Sequence, residues 1–259
     1  MKRIAAVILC MLLAVSCVSV AFADQLADIL QKGEMTIVME GTYPPWNYAD
    51  ETTGEMMGYD ADVARAICEV LGVKANLKAC QWDGIFGGFE AGIYDVVVST
   101  VSVTPERAEQ YLFSTPYAYD AVCVIVRDDN DAIKTLEDLN GKKTCNTVTS
   151  IYAQIAEQFG ATVTGVDDLA ETLMLVQQGR MDATLNASST YIDYMMNYPD
   201  APFRIACYAP EADMYAIPVR HGEENLLNAI NDALAQLAEN GTLAQLSVKH
   251  FGLDLTQLQ

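Results

Sequence analysis

The first half of the chain alternates short runs of β-branched and apolar residues with stretches whose apolar residues recur at helical spacing. In DADVARAICEVL at 60–71, the apolar residues Val63, Ile67 and Val70 lie on one helical face, and a glycine follows the last turn. The remaining segments of this half predict a helix at 85–91 and strands at 36–39, 73–80 and 95–100. Such alternation at short spacing predicts an α/β fold with a mostly parallel sheet.

A second alternating series begins near residue 121. It ends in a long predicted helix at 225–239, in which Leu226, Ile230 and Leu234 share one face. The shorter elements of this series are helices that begin near residues 136, 151, 169 and 191, and strands at 121–126, 143–146 and 182–186. No low-complexity linker separates the two series, so we expect two α/β lobes that are joined by crossing strands rather than by a flexible tether.

Residues 99–107 read STVSVTPER and combine a strand-like pattern with an unusual helix start. In an extended strand, the hydroxyls of Thr100, Ser102 and Thr104 point to the face opposite the valines. Thr104 followed by proline predicts a helix N-cap with proline at the first helical position. Arg107 then lies in the first helical turn, where a cation opposes the helix dipole by about 0.3–1 kcal/mol. The sequence therefore predicts an anion near Arg107.

The N-terminus has the pattern of a secretory signal. A basic start, KR at positions 2 and 3, precedes an almost wholly apolar stretch at 4–20, and AFA at 21–23 fits a cleavage site. We therefore predict a signal at 1–23 and a mature chain that begins at Asp24 and is located in the periplasm. An uncleaved membrane anchor and a lipoprotein attached through Cys17 stay open as alternatives.

The charge of the chain excludes a nucleic-acid partner. The formal net charge is −20, and it becomes −22 without residues 1–23, which hold two basic residues and no acidic ones. A surface of this sign repels nucleic acid and anionic lipid, and it helps to keep an exported protein in solution.

Several kinds of chemistry have no signature in the sequence. Five cysteines follow residue 23, an odd number, so at least one thiol is free or pairs with another chain. C-x-x-C pairs and Cys/His clusters are missing, and we predict neither a metal site nor a cofactor. The motifs G-x-S-x-G, H-E-x-x-H, the P-loop and G-x-G-x-x-G after a strand are also missing, so no catalytic residue is predicted.

Polar and aromatic residues at the ends of predicted strands are the candidate ligand contacts, because open α/β sheets bind ligands there. EGTYPPW at 40–46 holds Tyr43 in a loop that two prolines stiffen, and Trp82 follows another strand. Ser150 precedes a helix whose N-terminal amides would attract an anion. A packing role suits each of these residues as well, so the residues alone leave packing and ligand binding open.

The order and spacing of several longer motifs resemble a known family. The motifs are YPPW, GEMMGYDADVARAICEVLG, QWDGIFGGFEAGIYDVVVSTVSVTPERAEQYLFSTPYAYDAV, LEDLNGKK, QQGRMDAT and NGTLAQLSVKHFG. With them, essentially the whole mature chain resembles the family 3 extracellular solute-binding proteins of bacterial ABC transporters, which are receptors for polar amino acids. TPER followed by FSTPY, together with GRMDA, is specific for that family.

The resemblance implies a two-lobed periplasmic-binding-protein fold of type II, with two crossover strands as the hinge and the ligand in the cleft. Carried over by position, residues 24–119 with 213–259 form lobe 1 and residues 120–212 form lobe 2. The implied function is that of an extracytoplasmic receptor, expected to be a monomer. It would capture an amino acid or a related small molecule and deliver it to the membrane permease of an ABC importer.

The resemblance also implies which residues contact the ligand. They are Glu40, Tyr43, Trp82, Thr100, Ser102, Arg107, Ser150, Ile151 and Asn186. Arg107 would clamp the α-carboxylate of the ligand, which agrees with the anion that its position in the helix predicts. Tyr43 and Trp82 would sandwich the ligand side chain, while Thr100 and Ser102 would form hydrogen bonds to the ligand.

Two departures from the family pattern bear on the ligand. The family usually has an aspartate for the α-ammonium shortly after its GRxDA motif, and this chain has Ala187 there. Ammonium recognition then falls to Glu40, Asn186 or carbonyl groups, or else the ligand is not an ordinary α-amino acid. Thr149 also replaces a glycine in the loop at 149–151, whose amides meet the carboxylate from the other lobe in the family.

Two other functions stay open beside transport. One is a ligand-sensing module that signals to a membrane partner, because the same closed form would serve. The other is an enzyme, since cyclohexadienyl dehydratases resemble this family and act on a dicarboxylate. A second carboxylate would need a second cation, and Arg107 is the only basic residue that the sequence places in the cleft.

Overall fold

A computed structural model of the chain describes residues 24–258. The predicted signal at 1–23 and the alternative lipid attachment through Cys17 lie outside the described residues. Between residues 24 and 258, the structure contains no helix with the length and apolar character needed to cross a membrane.

Residues 25–113 form a small parallel sheet with flanking helices. In chain order the elements are α1 Gln25–Lys32, β1 Glu34–Met39, β2 Thr42–Tyr43, β3 Asn47–Ala49, β4 Met56–Met57, α2 Tyr59–Leu71, β5 Lys74–Ala79, α3 Trp82–Glu90, β6 Val96–Val97, α4 Pro105–Gln110 and β7 Leu112–Phe113. Strand β1 pairs in parallel with β5 on one side and β6 on the other. Strands β2, β3 and β4 form a separate antiparallel sheet that leads from β1 to α2.

The remainder of the chain adds two further sheets and the closing helices. Its elements are β8 Ala118–Arg127, a 3-10 helix Leu136–Leu139, β9 Lys143–Asn146, α5 Ile151–Gln158, β10 Thr162–Gly165, α6 Leu169–Gln177, β11 Thr184–Ala187, α7 Ser188–Asn197, β12 Phe203–Tyr215, β13 Pro218–Val219, α8 Glu224–Glu239 and α9 Thr242–Phe251. Strand β8 lies between β11 and β12, and both pairings are antiparallel. Strands β9 and β10 are parallel, and β13 pairs with β7 of the first half.

The buried apolar residues fall into two sets. One set comes from residues 29–118 and 215–255, and the other comes from residues 122–203. Trp46 lies in the first set, fully buried, with its ring centre 5.7 Å from Tyr59 and 5.0 Å from Tyr215. We call the structure around the first set lobe 1 and the structure around the second set lobe 2. The predicted two-lobed α/β architecture is therefore present.

Strands β8 and β12 connect the lobes. They pair over their whole length, with register shifts between Ile205 and Cys207 and between Tyr208 and Ala212. Asp120 and Asp213 are direct partners in this ladder. The sequence pattern does not predict β12, because its two irregularities interrupt the alternation of inward and outward side chains.

One prediction about local structure is wrong. The strand predicted at 95–100 ends at Val97, because Thr100 has a φ of 46° in the left-handed region that a β-branched residue rarely adopts. The continuous strand face of hydroxyls over Thr100, Ser102 and Thr104 is therefore absent, and Ser102 forms only an isolated bridge to Tyr215. The main sheet of the first half is parallel, as predicted, whereas both partners of β8 in the second half run antiparallel to it.

The five cysteines of the described chain are all unpaired. They are Cys68, Cys80, Cys123, Cys145 and Cys207. Burial raises the pKa of Cys68 and of Cys145 to about 12, and it raises the pKa of Cys123 still further above its usual range. These thiols fill space in the cores and form no crosslink between the lobes.

Candidate functional site

A cavity with about 50 Å³ of free volume lies between the two lobes. Its lining residues are Glu40, Tyr43, Trp82, Thr100, Ser102, Arg107, Asn146, Thr147, Ser150, Ile151, Tyr152, Asp168, Leu169, Thr172 and Asn186. All the residues that the sequence analysis names as ligand contacts belong to this lining. These residues therefore lie around one cavity, and their contacts with a ligand stay predictions.

Arg107 projects into the cavity from the first turn of α4. The helix begins as predicted, with the Thr104 hydroxyl accepting the Arg107 backbone N–H at 3.2 Å. The guanidinium donates to the carbonyls of Ser102 at 3.1 Å and Thr149 at 3.2 Å, so it contacts both lobes. Its central carbon lies 5.4 Å from the Trp82 ring centre and 5.5 Å from that of Phe86. A guanidinium has five N–H donors, so this one, which lines the cavity, keeps donors that are not used by the described chain.

The carboxylate of Asp213, which does not line the cavity, provides a negative charge near Arg107. Burial lowers the pKa of the guanidinium, and the carboxylate of Asp213 opposes that shift. Asp213 is 9% exposed and accepts the Ser102 hydroxyl at 2.7 Å, and burial raises its pKa to about 6. The second hinge carboxylate, Asp120, accepts the Ser188 hydroxyl at 2.6 Å and the Ser189 amide at 3.1 Å. Each hinge strand is thus tied to one lobe by a buried carboxylate.

A buried network holds Thr100 in its left-handed conformation. The Tyr117 hydroxyl accepts the Thr100 amide at 3.0 Å and donates to Asp60 at 2.7 Å. Asn47 donates to the other oxygen of Asp60 at 2.7 Å. Asp60 is fully buried, and this burial raises its pKa to about 7. The strained backbone at Thr100 persists because these groups surround it.

Tyr43 and Trp46, from the EGTYPPW loop of lobe 1, reach hydrogen-bond partners in lobe 2. The Tyr43 hydroxyl donates to Asn186 Oδ1 at 2.5 Å and lies 3.2 Å from the Tyr152 hydroxyl. Trp46 Nε1 donates to the Ser189 hydroxyl at 3.2 Å. The resemblance implies that Tyr43 is an apolar wall, and its hydroxyl has this second role in joining the lobes. These bonds describe a closed arrangement of the lobes.

In the segment at the start of α5, two residues line the cavity and one lies outside it. Ser150 is the N-cap of α5, accepts the Ala153 amide at 3.2 Å and lines the cavity with Ile151. Thr149 lies outside the lining and donates its hydroxyl at 2.6 Å and its amide at 3.3 Å to Asp83 of lobe 1. Of the three amides that the resemblance implies for the ligand carboxylate, that of Thr149 thus has a protein partner.

Ala187, at the position where the family usually has an acid, is fully buried and lies outside the lining. It precedes α7, and Asp120 accepts hydrogen bonds from the first residues of that helix. The carboxylates that do reach the cavity are Glu40, directly after β1, and Asp168. Burial is the main reason why the pKa of Glu40 is raised to about 7.

Asp168 is the most informative lining residue that sequence reasoning missed. It is the N-cap of α6, and its Oδ1 accepts the Glu171 amide at 2.9 Å. The sequence signal is an aspartate directly before an amphipathic helix, and that signal indicates a helix start rather than a position in the cleft. No group of three or more metal-ligating side chains occurs within the described part of the chain.

Comparisons with known proteins agree with this geometry. The family description "Bacterial extracellular solute-binding proteins, family 3" matches residues 35–253. A probable amino-acid ABC transporter-binding protein of Haemophilus influenzae is 35% identical over 236 residues, which are 91% of each chain. The L-cystine-binding protein TcyA of Bacillus subtilis is 35% identical over 234 residues, or 90% of this chain and 87% of the relative.

Solved structures of amino-acid-binding proteins have a similar fold. An ancestral arginine-binding protein bound to arginine superimposes with a TM-score of 0.79 and 34% identity, covering 85% of this chain and 99% of the other. The predicted two-lobed type II fold is thereby confirmed. The chain belongs to the family 3 bacterial extracellular solute-binding proteins.

Proposed function

We propose that the chain captures an α-amino acid between its lobes and delivers it to the permease of an ABC importer. The observation that carries this proposal is the interlobe cavity with the Arg107 guanidinium directed into it. A planar guanidinium forms a bidentate pair with a carboxylate, and the pair is strong when the site is partly desolvated. The α-carboxylate of the ligand would therefore bind at Arg107.

Closure of the lobes would couple binding to transport. The ligand would contact both lobes only in the closed form, so it would shift an open-to-closed equilibrium. Hydrogen bonds from Tyr43 to Asn186 and from Trp46 to Ser189 would form at the same time. The permease would then recognise the closed surface.

The contact between Asp83 and Thr149 gives a test of this closure. Thr149→Val removes the hydroxyl that donates to Asp83. Because the residue lies outside the cavity lining, we expect about two- to tenfold weaker binding of every ligand, through faster dissociation with unchanged association. Stopped-flow fluorescence measures both rates. Thr149→Ser keeps the hydroxyl and should retain the parent rates, and equal dissociation from Val, Ser and parent proteins would refute a role of this contact in closure.

Membership of the family also supports proposals about the location, the oligomeric state and the lobe boundaries of the chain. Membership of an extracellular solute-binding family locates the chain outside the cytoplasm. We propose the periplasm as the compartment, a monomer as the working form, and lobes that divide at 24–119 with 213–259 and at 120–212. We also propose that the chain is a receptor and not an enzyme, because a dicarboxylate would find one cation, Arg107, in the described lining.

A thermal-shift screen of ligand-stripped protein tests the proposal. A ligand at about a hundred times its dissociation constant adds roughly 2.7 kcal/mol of stability, which raises the melting temperature by several degrees. We expect such a rise with at least one of the standard amino acids. The proposal is wrong if no amino acid has an effect while a cyclic dicarboxylate such as prephenate both stabilises the protein and is converted to product.

A further inference from the structure

The cavity has an excess of negative charge. The lining contains one basic side chain, Arg107, and two carboxyl side chains, Glu40 and Asp168. Asp213 lies near Arg107 as a counter-charge, because Ser102 accepts a hydrogen bond from the guanidinium through its carbonyl at 3.1 Å and donates its hydroxyl to Asp213 at 2.7 Å. Neither Glu40 nor Asp168 forms a salt bridge with a cation of residues 24–258. Two carboxylates therefore line the cavity without a cationic partner from the protein.

These two carboxylates come from opposite lobes. Glu40 directly follows β1 in lobe 1, and one of its oxygens accepts the Thr42 hydroxyl at 3.2 Å. Asp168 caps α6 in lobe 2 through its Oδ1. Each carboxylate thus has an oxygen without a hydrogen bond from the described chain. Their negative charges are brought near each other when the lobes close, which costs free energy unless a cation lies between them.

One buried polar group of the same lining also lacks a partner within the described chain. The Trp82 indole Nε1 is buried and has no hydrogen-bond acceptor in the described chain, and Trp82 is 8% exposed. Buried polar groups are normally hydrogen-bonded, so this indole N–H indicates that a ligand completes the site.

Charge balance then narrows the class of ligand. A neutral zwitterion would place its carboxylate at Arg107 and would bring a single ammonium group to two carboxylates. One carboxylate would stay unpaired in a closed site, which is costly. An amino acid with a second positive charge on its side chain supplies both cations. We infer that Glu40 and Asp168 together bind the cationic groups of the ligand, and that the receptor selects amino acids with a cationic side chain.

This inference rests on the proposed function, and one pair of ligands tests it. L-arginine and L-citrulline have nearly the same shape, but the guanidinium of arginine is charged and the ureido group of citrulline is neutral. We expect calorimetry on the ligand-stripped protein at pH 8 to give at least about thirtyfold tighter binding of arginine. Equal or tighter binding of citrulline would overturn the inference and leave the proposed function intact.

Variants assign the selectivity to residues. Asp168→Asn and Glu40→Gln should each weaken arginine binding by about ten- to a hundredfold, while citrulline binding should stay the same or become tighter, because each change removes a carboxylate that citrulline can leave unpaired. Asp167→Asn is the matched control, because it makes the same change at the neighbouring residue, which lies outside the lining. An equal loss for both ligands in Asp168→Asn would mean a structural role only, and would overturn its assignment to the cation.

Two further outcomes distinguish a failure of this inference from a failure of the proposed function. L-cystine carries a second carboxylate, so tighter binding of cystine than of arginine would overturn the selection of cationic side chains while supporting an amino-acid receptor. Failure to bind any amino acid would reject the proposed function, and the inference with it.

The same pair of ligands gives a pH dependence. The groups that act on Glu40 are the Thr42 hydroxyl and the carboxylates of Asp168, Asp83 and Asp60. With a neutral ligand, Glu40 in the closed site keeps a pKa of about 7, above its ordinary 4.5, so closure takes up a proton between these values and citrulline binding weakens as the pH rises. A cationic ligand removes this effect. The ratio of arginine to citrulline affinity should therefore rise by up to about tenfold per unit from pH 5 to pH 7 and then level off. A constant ratio would contradict the inference.

Discussion

We expect Arg107→Ala to weaken amino-acid binding by roughly thirtyfold to several thousandfold while the protein stays folded. Removing one partner of a desolvated, hydrogen-bonded ion pair costs about 2–5 kcal/mol, much of which reflects the carboxylate left without a partner. The substitution should cost the helix little stability, because Arg107 lies in its first turn, where a cation is unfavourable. Isothermal calorimetry measures the affinity, and circular dichroism checks the fold.

Two controls separate carboxylate recognition from other effects of Arg107. Arg127→Ala removes an exposed arginine that pairs with Asp129, and it should leave the affinity unchanged. The α-carboxamide analogue of the ligand should bind the parent protein poorly and should gain nothing from Arg107, so that parent and Arg107→Ala bind it equally. If Arg107→Ala kept its affinity for the free amino acid within about threefold, the α-carboxylate would bind elsewhere.

The second large effect concerns stability rather than affinity. Asp60→Ala should lower the free energy of unfolding by about 3–5 kcal/mol. The substitution leaves the donors on Asn47 and Tyr117 without their buried acceptor, and it releases the constraint on the backbone of Thr100. Urea unfolding followed by tryptophan fluorescence measures the change. Glu69→Ala, an exposed change on the same helix, is the control and should have little effect.

Asp60 also determines part of the pH dependence of stability. Its pKa is about 7 in the folded protein and close to the ordinary 3.8 in the unfolded chain. Between these values the folded protein binds the extra proton, so the contribution of Asp60 to stability falls as the pH rises from about 4 to 7. Asp60→Asn removes the titration, and its unfolding free energy should decline less over this range. Parallel pH profiles for parent and variant would show that Asp60 does not titrate as described.

Local patterns predict the parts of the site that depend on local structure. Thr104 and the proline after it define the start of α4, and the anomaly of a cation in its first turn identifies Arg107. The conformation of Thr100 has no such signal, because threonine disfavours a positive φ and the contacts that maintain it come from residues far along the chain, such as Tyr117, seventeen residues away. Asp168 reads as an ordinary N-cap, and its place in the cavity depends on how the lobes meet.

The fold shows the same division between local and long-range information. Helix α2 has a clean 3.6-residue pattern and is found at Tyr59–Leu71, one residue longer than predicted. Strand β12 is long, but its irregular register with β8 removes the alternation on which a prediction depends. Its position is determined by pairing with a strand about ninety residues earlier, and no short window of sequence contains that information.

The unpaired cysteines affect how reversibly the protein unfolds. In the native state, burial keeps the thiols of Cys68, Cys123 and Cys145 protonated, and the thiolate is the form that reacts with oxidants. An unfolded chain regains ordinary thiol acidity and exposes all five sulfurs to each other and to other chains. Oxidative crosslinking would then trap unfolded molecules in an oxidising compartment, so the lifetime of the receptor there would depend on its rate of unfolding rather than on the equilibrium alone.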